Sequence, residues 1–152
     1  MSIEIVDFKP EFREDFKNLN VEWLQKYFVV EPFDELQLSN PETEILEKGG
    51  KIILAKDGER IVGTVSLLKE QNVYELAKMA VTEDYKGKGV GKLLMEHCIS
   101  EAKKLGAEKI ILISNRDLTP ALSLYRKYGF NEIPMAEGIP CERGNIMMEL
   151  IL

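Results

Sequence analysis

Apolar residues follow two different spacings in the N-terminal part of the chain. They alternate with polar residues over positions 3–8, which predicts a first β-strand. Further on they recur every three or four positions, which predicts a helix with a break near residues 18–20. The apolar positions of this helical stripe are Phe12, Phe16, Leu19, Trp23 and Tyr27. A short helix is then expected to begin at Asn40-Pro41 and to end at Gly49-Gly50.

A strand meander follows these helices. Residues 51–56 and 60–68 are rich in β-branched and other apolar side chains, and Asp57-Gly58 between them is a strong hairpin signal. A second turn at Gln71-Asn72 leads into a third strand over residues 73–81. These segments predict three antiparallel strands joined by tight turns.

The third strand of the meander opens a strand–helix–strand unit. A glycine-rich loop ends it, and the next apolar residues recur at helical spacing as far as Gly106, which suits a helix terminus. These helical positions are Val90, Leu94, Cys98, Ala102 and Leu105. Residues 109–114 then have the pattern of a strand buried on both faces. The unit predicts a right-handed crossover between two parallel strands, with the loop at the carboxyl edge of the first.

The C-terminal segments complete the predicted fold. Thr119 as N-cap, Pro120 at the first helical position and Gly129 after the last turn delimit another helix. Strands near residues 130–134 and 145–150 are expected to close the sheet. The predicted fold class is α/β: a mixed, mostly antiparallel sheet with helices on both faces and a central βαβ crossover. A chain of 152 residues suits a single domain.

The loop after the third strand carries the strongest chemical signal. Gly87, Gly89 and Gly91 stand at every second position before a helix, so successive backbone N–H groups can surround an anion at the helix N-terminus. Three lysines reinforce this predicted phosphate site in a chain of net charge −6; they are Lys86, Lys88 and Lys92. The spacing does not fit a P-loop, because Leu93 stands where Ser or Thr would hold Mg²⁺, and it does not fit a dinucleotide fingerprint.

Two motifs are similar to those of the GNAT superfamily of acyl-CoA-dependent N-acyltransferases. Residues 86–91 resemble its pyrophosphate motif R/Q-x-x-G-x-G/A, except that Lys86 replaces Arg or Gln. Residues 121–130 resemble its downstream signature A-x-x-L-Y-x-x-x-G-F. Many relatives carry Asn where this chain has Leu118, so Asn115 is the nearest candidate for that contact. The alternative is a glycine turn that merely joins a strand to a helix, but two motifs in the expected order favour the resemblance.

The resemblance implies acetyl-CoA as cosubstrate and a set of residues that bind it. In the superfamily the strand before the loop carries a bulge and separates from its parallel neighbour, so that its main chain faces pantetheine and the thioester carbonyl. The cofactor-binding residues expected here are Met79, Ala80, Val81, Lys86, Gly87, Lys88, Gly89, Val90, Gly91, Lys92 and Asn115.

Two side chains are expected to be catalytic. An amine of pKa ~10 is almost fully protonated at neutral pH, so a carboxylate must accept its proton before it attacks a thioester. Glu75 stands where some superfamily members place this general base; water relayed through Glu70, Glu132 or backbone carbonyls is the alternative. Tyr125 matches the superfamily tyrosine that hydrogen-bonds the thioester sulfur and can protonate the leaving thiolate; hydrogen bonding without full proton transfer is the alternative. Without the motif, a helical tyrosine is more often a core residue.

The acyl acceptor is defined only by class. In relatives, the segment between the first helix and the second strand and the last hairpin cover the acceptor. Here these segments contain aromatic and acidic residues that suit a cationic amine: Trp23, Tyr27, Phe28, Glu31, Phe33, Asp34, Glu137 and Glu142. Arg143 would instead suit a carboxylate, as in an amino acid. The predicted function is acetyl transfer to a primary amine of a small molecule or, as second choice, of a protein; the alternative is a non-catalytic acyl-CoA sensor.

Composition limits the other partners and the compartment. No basic stripe supports nucleic-acid binding, and no apolar run of roughly 18 residues or signal-like N-terminus predicts a membrane segment or export. A cytoplasmic protein is therefore expected. Cys98, Cys141 and His97 lack the spacing of a ligand set, so no metal is expected. Small members of the superfamily often dimerise, which leaves a homodimer open.

Overall fold

A single sheet with helices on both faces forms the body of the protein in a computed structural model that describes residues 2–71, 73–135 and 143–152. The strands are β1 (Ile3–Asp7), β2 (Lys51–Asp57), β3 (Arg60–Glu70), β4 (Val73–Val81), β5 (Lys109–Ser114), β6 (Asn131–Ile133) and β7 (Ile146–Ile151). The α-helices are α1 (Arg13–Tyr27), α2 (Pro32–Ser39), α3 (Val90–Lys104) and α4 (Thr119–Lys127).

The sheet has the mixed topology that the sequence predicts. Its strand order is β1-β2-β3-β4-β5-β7-β6. Each neighbouring pair of described strands is antiparallel except β4 and β5, which are parallel and joined through α3. The meander and the central crossover are therefore confirmed, and the glycine-rich loop connects the carboxyl end of β4 to α3.

Two apolar cores cover the two faces of the sheet. On one face α3 and α4 bury residues such as Leu94, Cys98 and Leu122, and on the other α1 and α2 bury Phe16 and Leu38. Cys98 has no exposed surface, and burial raises the pKa of its thiol to about 12. It is therefore a core residue, as expected, and not a nucleophile.

The first helix differs from its prediction because the expected break is absent. α1 runs without interruption through residues 18–20. The buried Asn20 donates a hydrogen bond from Nδ2 to the carbonyl oxygen of Phe16 at 2.9 Å. Its amide thus has a partner within the helix, so a buried polar side chain does not interrupt the structure.

The prediction for the segment before β2 is incomplete, because a second helix precedes the short one expected after Asn40-Pro41. This second helix is α2. It begins with a capping box between Glu31 and Asp34 and has a proline in its first turn. The helix expected from Asn40-Pro41 is only a short π-type turn, Glu42–Leu46. The sequence signal for α2 is the capping box, which lies at its first turn.

The C-terminal half agrees with its predictions to within one or two residues. The N-cap of α4 is Leu118, without a side-chain hydrogen bond, so the expected capping role of Thr119 is wrong by one position. Gly129 follows the helix with φ +100°, a conformation that favours glycine. β5 is buried on one face and half-buried on the other, which differs from the expectation of burial on both. Among the described residues, none of the helices has the length and apolar character to cross a membrane.

Candidate active site

A bulge and a gap shape the sheet around the middle of β4. Against β3 the register shifts by one residue between Ala77 and Ala80, and Lys78 within this bulge has φ +54°. Against β5, β4 is paired only over residues 73–75, so the two parallel strands separate beyond Glu75. Among the described residues, the later part of β4 has no partner strand on that side. The bulge and the separation that the resemblance implies are both present.

A cleft of about 430 Å³ opens where β4 and β5 separate. Most of the predicted site residues line it: Glu75, Met79, Ala80, Val81, Lys86, Gly87, Gly89, Val90, Gly91, Asn115 and Tyr125. Lys88 and Lys92 do not. The Lys88 ammonium lies 5.2 Å from the ring centre of Tyr85, and Lys92 is exposed on α3.

The glycine loop has the backbone geometry of an anion site. Gly87 and Gly89 have φ +77° and +84°, and Gly89 is the N-cap of α3. A Cβ atom added to either glycine would meet no atom within 4 Å, so their backbone borders open space beside the first N–H groups of the helix. The Lys86 ammonium is 3.2 Å from the Tyr27 hydroxyl oxygen and 3.1 Å from a Glu83 carboxylate oxygen. These residues fit a pyrophosphate.

Glu75 enters the cleft from the face of the sheet that α1 covers. Its neighbours Tyr74 and Leu76 point into the core under α3, and successive strand residues point to opposite faces. Burial, with a smaller effect of the Glu70 charge, raises the pKa of Glu75 to about 7, and the Lys78 charge opposes this rise. Within the described ranges, the structure shows no hydrogen bond or ion pair to its carboxylate.

Tyr125 approaches the cleft from the opposite face. It lies on α4, belongs to the core under α3 and is 9% exposed, with its ring centre 5.9 Å from that of Phe130. Burial, with a minor contribution from Cys98, raises the pKa of its hydroxyl to about 12. Because β4 and β5 separate here, side chains from both faces of the sheet reach one cleft.

Asn115 lines the cleft, but other groups engage its side chain. Its Nδ2 donates to the carbonyl oxygen of Arg143 at 2.7 Å, and its Oδ1 accepts from the backbone N–H of Asp117 at 2.9 Å. Asn115 therefore connects the end of β5 to the segment before β7. Any contact of Asn115 with the cofactor would have to replace or share these bonds.

Four charged side chains that we call the Asp34 cluster lie beside the cleft: Glu31, Asp34, Lys78 and Arg143. Arg143 donates to both carboxylate oxygens of Asp34, at 2.9 and 2.8 Å, and also pairs with Glu31. The Lys78 ammonium lies 2.8 Å from Asp34 Oδ1. Burial acts to raise the pKa of Asp34, but hydrogen bonds from Arg143 and Lys78 outweigh it and lower that pKa.

The aromatic residues of the predicted acceptor region have different positions. Trp23, Phe28 and Phe33 line the cleft, whereas Tyr27 packs against Lys26 and Lys86 outside it. Glu137, Cys141 and Glu142 lie outside the described residues. The described residues bring together no group of three His, Cys, Asp or Glu side chains suited to a metal ion.

Lys78 is the site residue that the sequence analysis missed. In a regular strand it would point to the same face as Leu76, but the bulge turns its side chain to Asp34 on α2. The sequence carries no signal for this position, since a lysine in a strand is usually a solvated residue. For Asp34, the capping-box pattern that begins at Glu31 was a usable signal.

Comparison with known proteins assigns the chain to a family. It matches the acetyltransferase (GNAT) family over residues 12–130 and belongs to that family. It is 36% identical over 104 residues to the uncharacterized N-acetyltransferase YvbK of Bacillus subtilis strain 168, in an alignment that covers 66% of this chain and 67% of that protein.

Solved structures agree with this assignment. A GNAT-family acetyltransferase from Staphylococcus aureus MU50 has the same fold, with a TM-score of 0.87 and 24% identity over 97% of this chain and 98% of that one. A Bacillus subtilis acetyltransferase solved in complex with CoA has a TM-score of 0.75 and 26% identity over 99% of each chain. Acetyl-CoA is accordingly the acyl donor, and the reaction class is acyl transfer.

The glycine loop generates a prediction about CoA binding. Gly89→Asp and Gly89→Asn introduce side chains of the same shape at a backbone conformation that Asn and Asp tolerate best after glycine, and they differ in charge. We expect the aspartate variant to bind CoA more than tenfold more weakly than the asparagine variant, a difference of over about 1.4 kcal/mol. Titration calorimetry with CoA measures this difference. Equal affinities in two variants with native circular dichroism would place the pyrophosphate elsewhere.

Proposed function

We propose that the protein transfers the acetyl group of acetyl-CoA directly to a primary amine of a small molecule, with Glu75 as general base. One observation carries this proposal: Glu75, a partly buried carboxyl without a cation bound to it among the described residues, lines the same cleft as the glycine loop, and burial raises its pKa to about 7. A group with that pKa is half ionised at neutral pH and is well matched to accept a proton from an amine.

The two-sided cleft supports direct attack on the thioester. Glu75 reaches the cleft from the α1 face and Tyr125 from the α3 face, so an amine and a thioester can approach each other through the gap between β4 and β5. Main-chain N–H groups of Met79–Val81 on the unpaired side of β4 are suited to stabilise the oxyanion. Cys98 is too buried to form an acyl-enzyme.

The proton balance assigns one task to Glu75. An amine that arrives as an ammonium ion must lose two protons overall to become an amide. Glu75 accepts the first and passes it to solvent, which leaves a neutral nucleophile. The carbon–nitrogen bond then forms, the carbon–sulfur bond breaks with its electron pair on sulfur, and the second proton of the nitrogen balances the one that the thiolate takes up.

The environment of Tyr125 favours hydrogen bonding over full proton transfer. Because its pKa is about 12, transfer of its proton to a thiolate whose thiol has a pKa of ~8.5 would cost about 5 kcal/mol. A hydrogen bond from the phenol to the sulfur costs no such transfer and strengthens as charge develops. Tyr125 therefore stabilises the leaving group, and the thiolate is protonated afterwards.

The Asp34 cluster narrows the acceptor class. Arg143 is held by two carboxylates, Asp34 and Glu31, so the sequence-based alternative of a carboxylate bound by Arg143 loses its support. Aromatic residues line the cleft near these charges, and Glu75 adds negative charge when ionised. We therefore favour an amine without a neighbouring carboxylate, and a protein amine is the second choice.

An acceptor panel tests the proposed function. Release of free thiol from acetyl-CoA is followed with pairs of amines that differ only in a carboxylate, such as phenethylamine and phenylalanine. We expect turnover to depend on an amine and to be faster with the member of each pair that lacks the carboxylate. Binding of acetyl-CoA without thiol release across amines and amine-bearing peptides would instead support a sensor, and faster reaction of amino acids would contradict the acceptor class.

The Glu75 carboxylate generates a prediction about the pH profile. Below a pKa of about 7 the protonated carboxyl cannot accept a proton, so kcat/KM of the unmodified protein should fall tenfold per pH unit on the acidic side. Glu75→Gln should lower kcat/KM at neutral pH by roughly 100-fold and recover as rising pH deprotonates the amine in solution. Initial rates from about pH 5 to about pH 9, roughly two units on each side of that pKa, measure both effects.

Glu70→Gln is the matched control for this prediction. The substitution removes the nearby carboxylate that would serve a water relay. In the unmodified protein the charge of Glu70 raises the pKa of Glu75. If Glu75 is the base, this variant should remain active, with its acidic limb moved slightly to lower pH. A larger loss in Glu70→Gln than in Glu75→Gln would transfer the role of base to the relay.

The leaving group generates a prediction for Tyr125. Tyr125→Phe retains the buried ring and removes the hydroxyl, so kcat should fall by about 10- to 100-fold while the affinity for acetyl-CoA changes little. An acyl donor with a more acidic thiol needs less stabilisation and should show a smaller loss. Steady-state kinetics with both donors, and calorimetry for affinity, measure these effects.

Tyr128→Phe serves as the control, because Tyr128 is on the same helical segment and its hydroxyl donates to Glu96 at 3.0 Å, away from the cleft. It should retain the kcat of the unmodified protein. Equal losses of Tyr125→Phe with both donors, in a variant that is folded by circular dichroism, would show that the hydroxyl has only a packing role.

A further inference from the structure

We propose that Asp34 is a positioning residue for the reaction: it binds the Lys78 ammonium and so prevents Lys78 from pairing with the Glu75 carboxylate. The inference rests on the proposed role of Glu75 as base. Asp34 itself lies on α2, does not line the cleft and touches neither predicted reactant. It would therefore act through Lys78.

The geometry of β4 makes an ion pair between Lys78 and Glu75 the alternative to the observed ion pair between Lys78 and Asp34. Lys78 is the third residue after Glu75. Glu75 faces α1 by the regular alternation of the strand, and the bulge turns the Lys78 side chain to that same side. Both line the cleft. The Lys78 side chain is 8% exposed, and its ammonium lies 5.0 Å from the ring centre of Phe33. A cation this buried requires an anion nearby.

Among the described residues, few carboxylates lie close enough to form an ion pair with Lys78. Asp34 has no exposed surface and binds it at 2.8 Å. Glu31 is engaged by Arg143. Without the negative charge of Asp34, the carboxylate that the described part of the chain leaves for Lys78 in the cleft is Glu75. A lysine side chain has four rotatable bonds, so it can change partner without movement of the backbone.

The charges around Glu75 determine how a change of partner by Lys78 would affect the pKa of Glu75. Titratable groups near it or in the cleft wall come from several elements: Glu70 on β3, Lys78 on β4, Tyr85 and Lys86 in the loop, Tyr125 on α4 and Arg143 before β7. Of these, Glu70 raises and Lys78 lowers the pKa of Glu75. A direct ion pair with Lys78 would lower that pKa further, and a carboxylate of lower pKa is a weaker base.

Asparagine is the suitable replacement for Asp34. Its side-chain oxygen can still accept the hydrogen bond that the backbone N–H of Glu31 donates to Asp34 Oδ2 at 2.9 Å, so the start of α2 is retained. Its amide lacks the charge that holds Lys78. Asp34→Asn thus separates the electrostatic role from the capping role.

The test is a carbon-13 NMR titration of the Glu75 side-chain carboxyl, assigned by its loss in Glu75→Gln. In Asp34→Asn we expect the pKa of Glu75 to fall by one unit or more, with the acidic limb of kcat/KM moved to lower pH and a lower maximum. The double variant Asp34→Asn/Lys78→Met lacks the Lys78 ammonium. Its Glu75 pKa should therefore lie within about half a unit of the value in the unmodified protein.

The controls separate a structural role from the proposed one. Glu35→Gln removes an exposed charge from the same helix, where Glu35 pairs with Lys17, and should leave the titration unchanged. An unchanged Glu75 titration in folded Asp34→Asn would overturn the inference. If Asp34→Asn does not fold, the double variant decides, because it removes both buried charges together. A Glu75 pKa in that variant more than about half a unit below that of the unmodified protein would overturn the inference.

The titration does not depend on turnover, so the two proposals can fail separately. A normal activity of Glu75→Gln, together with a shifted titration in Asp34→Asn, would remove Glu75 as base and keep the coupling through Lys78. An inactive Glu75→Gln with an unshifted titration in Asp34→Asn would keep the base and remove the coupling.

Discussion

The bulge in β4 is the constraint on which the site depends. One extra residue between Ala77 and Ala80 changes the strand's alternation, and pairing with β5 ends at Glu75. If β4 were regular and paired along its length, its main-chain groups would be hydrogen-bonded within the sheet and the cleft would be closed. The bulge places Lys78 at φ +54°, a conformation that costs a non-glycine residue of order 1 kcal/mol or more.

The Asp34 cluster brings together segments that are distant in sequence. It joins α2, the bulge in β4 and the segment before β7, with two carboxylates and two cations, so its formal charge is zero. Buried ion pairs rarely add stability beyond that of an apolar core, because desolvation costs offset the attraction. The position of this balanced cluster beside the cleft is better explained by our proposal that it keeps the Lys78 ammonium away from Glu75.

Local signals in the sequence were sufficient for most of the fold. The Asp57-Gly58 turn, the glycine loop and the periodicity of α3 each depend on residues close in sequence, and the strands and helices they imply are present. The unbroken α1 and the Asp34 cluster were not predictable in this way. Asn20 is tolerated because burial brings its amide to Phe16, and Lys78 acquires its partner through a bulge whose position depends on the register between strands.

Asp34 and Glu75 are two carboxylates beside the bulge whose environments differ in bound cations. Asp34 has two cations within hydrogen-bond distance, which keep it ionised although it is fully buried. Glu75 is also mostly removed from water but has no cation bound among the described residues, so burial raises its pKa to about 7. A carboxylate held by two cations cannot usefully accept a proton, whereas one left without a cation can. The distribution of cations, more than the identity of the acid, therefore favours Glu75 over Asp34 for the proposed role of base.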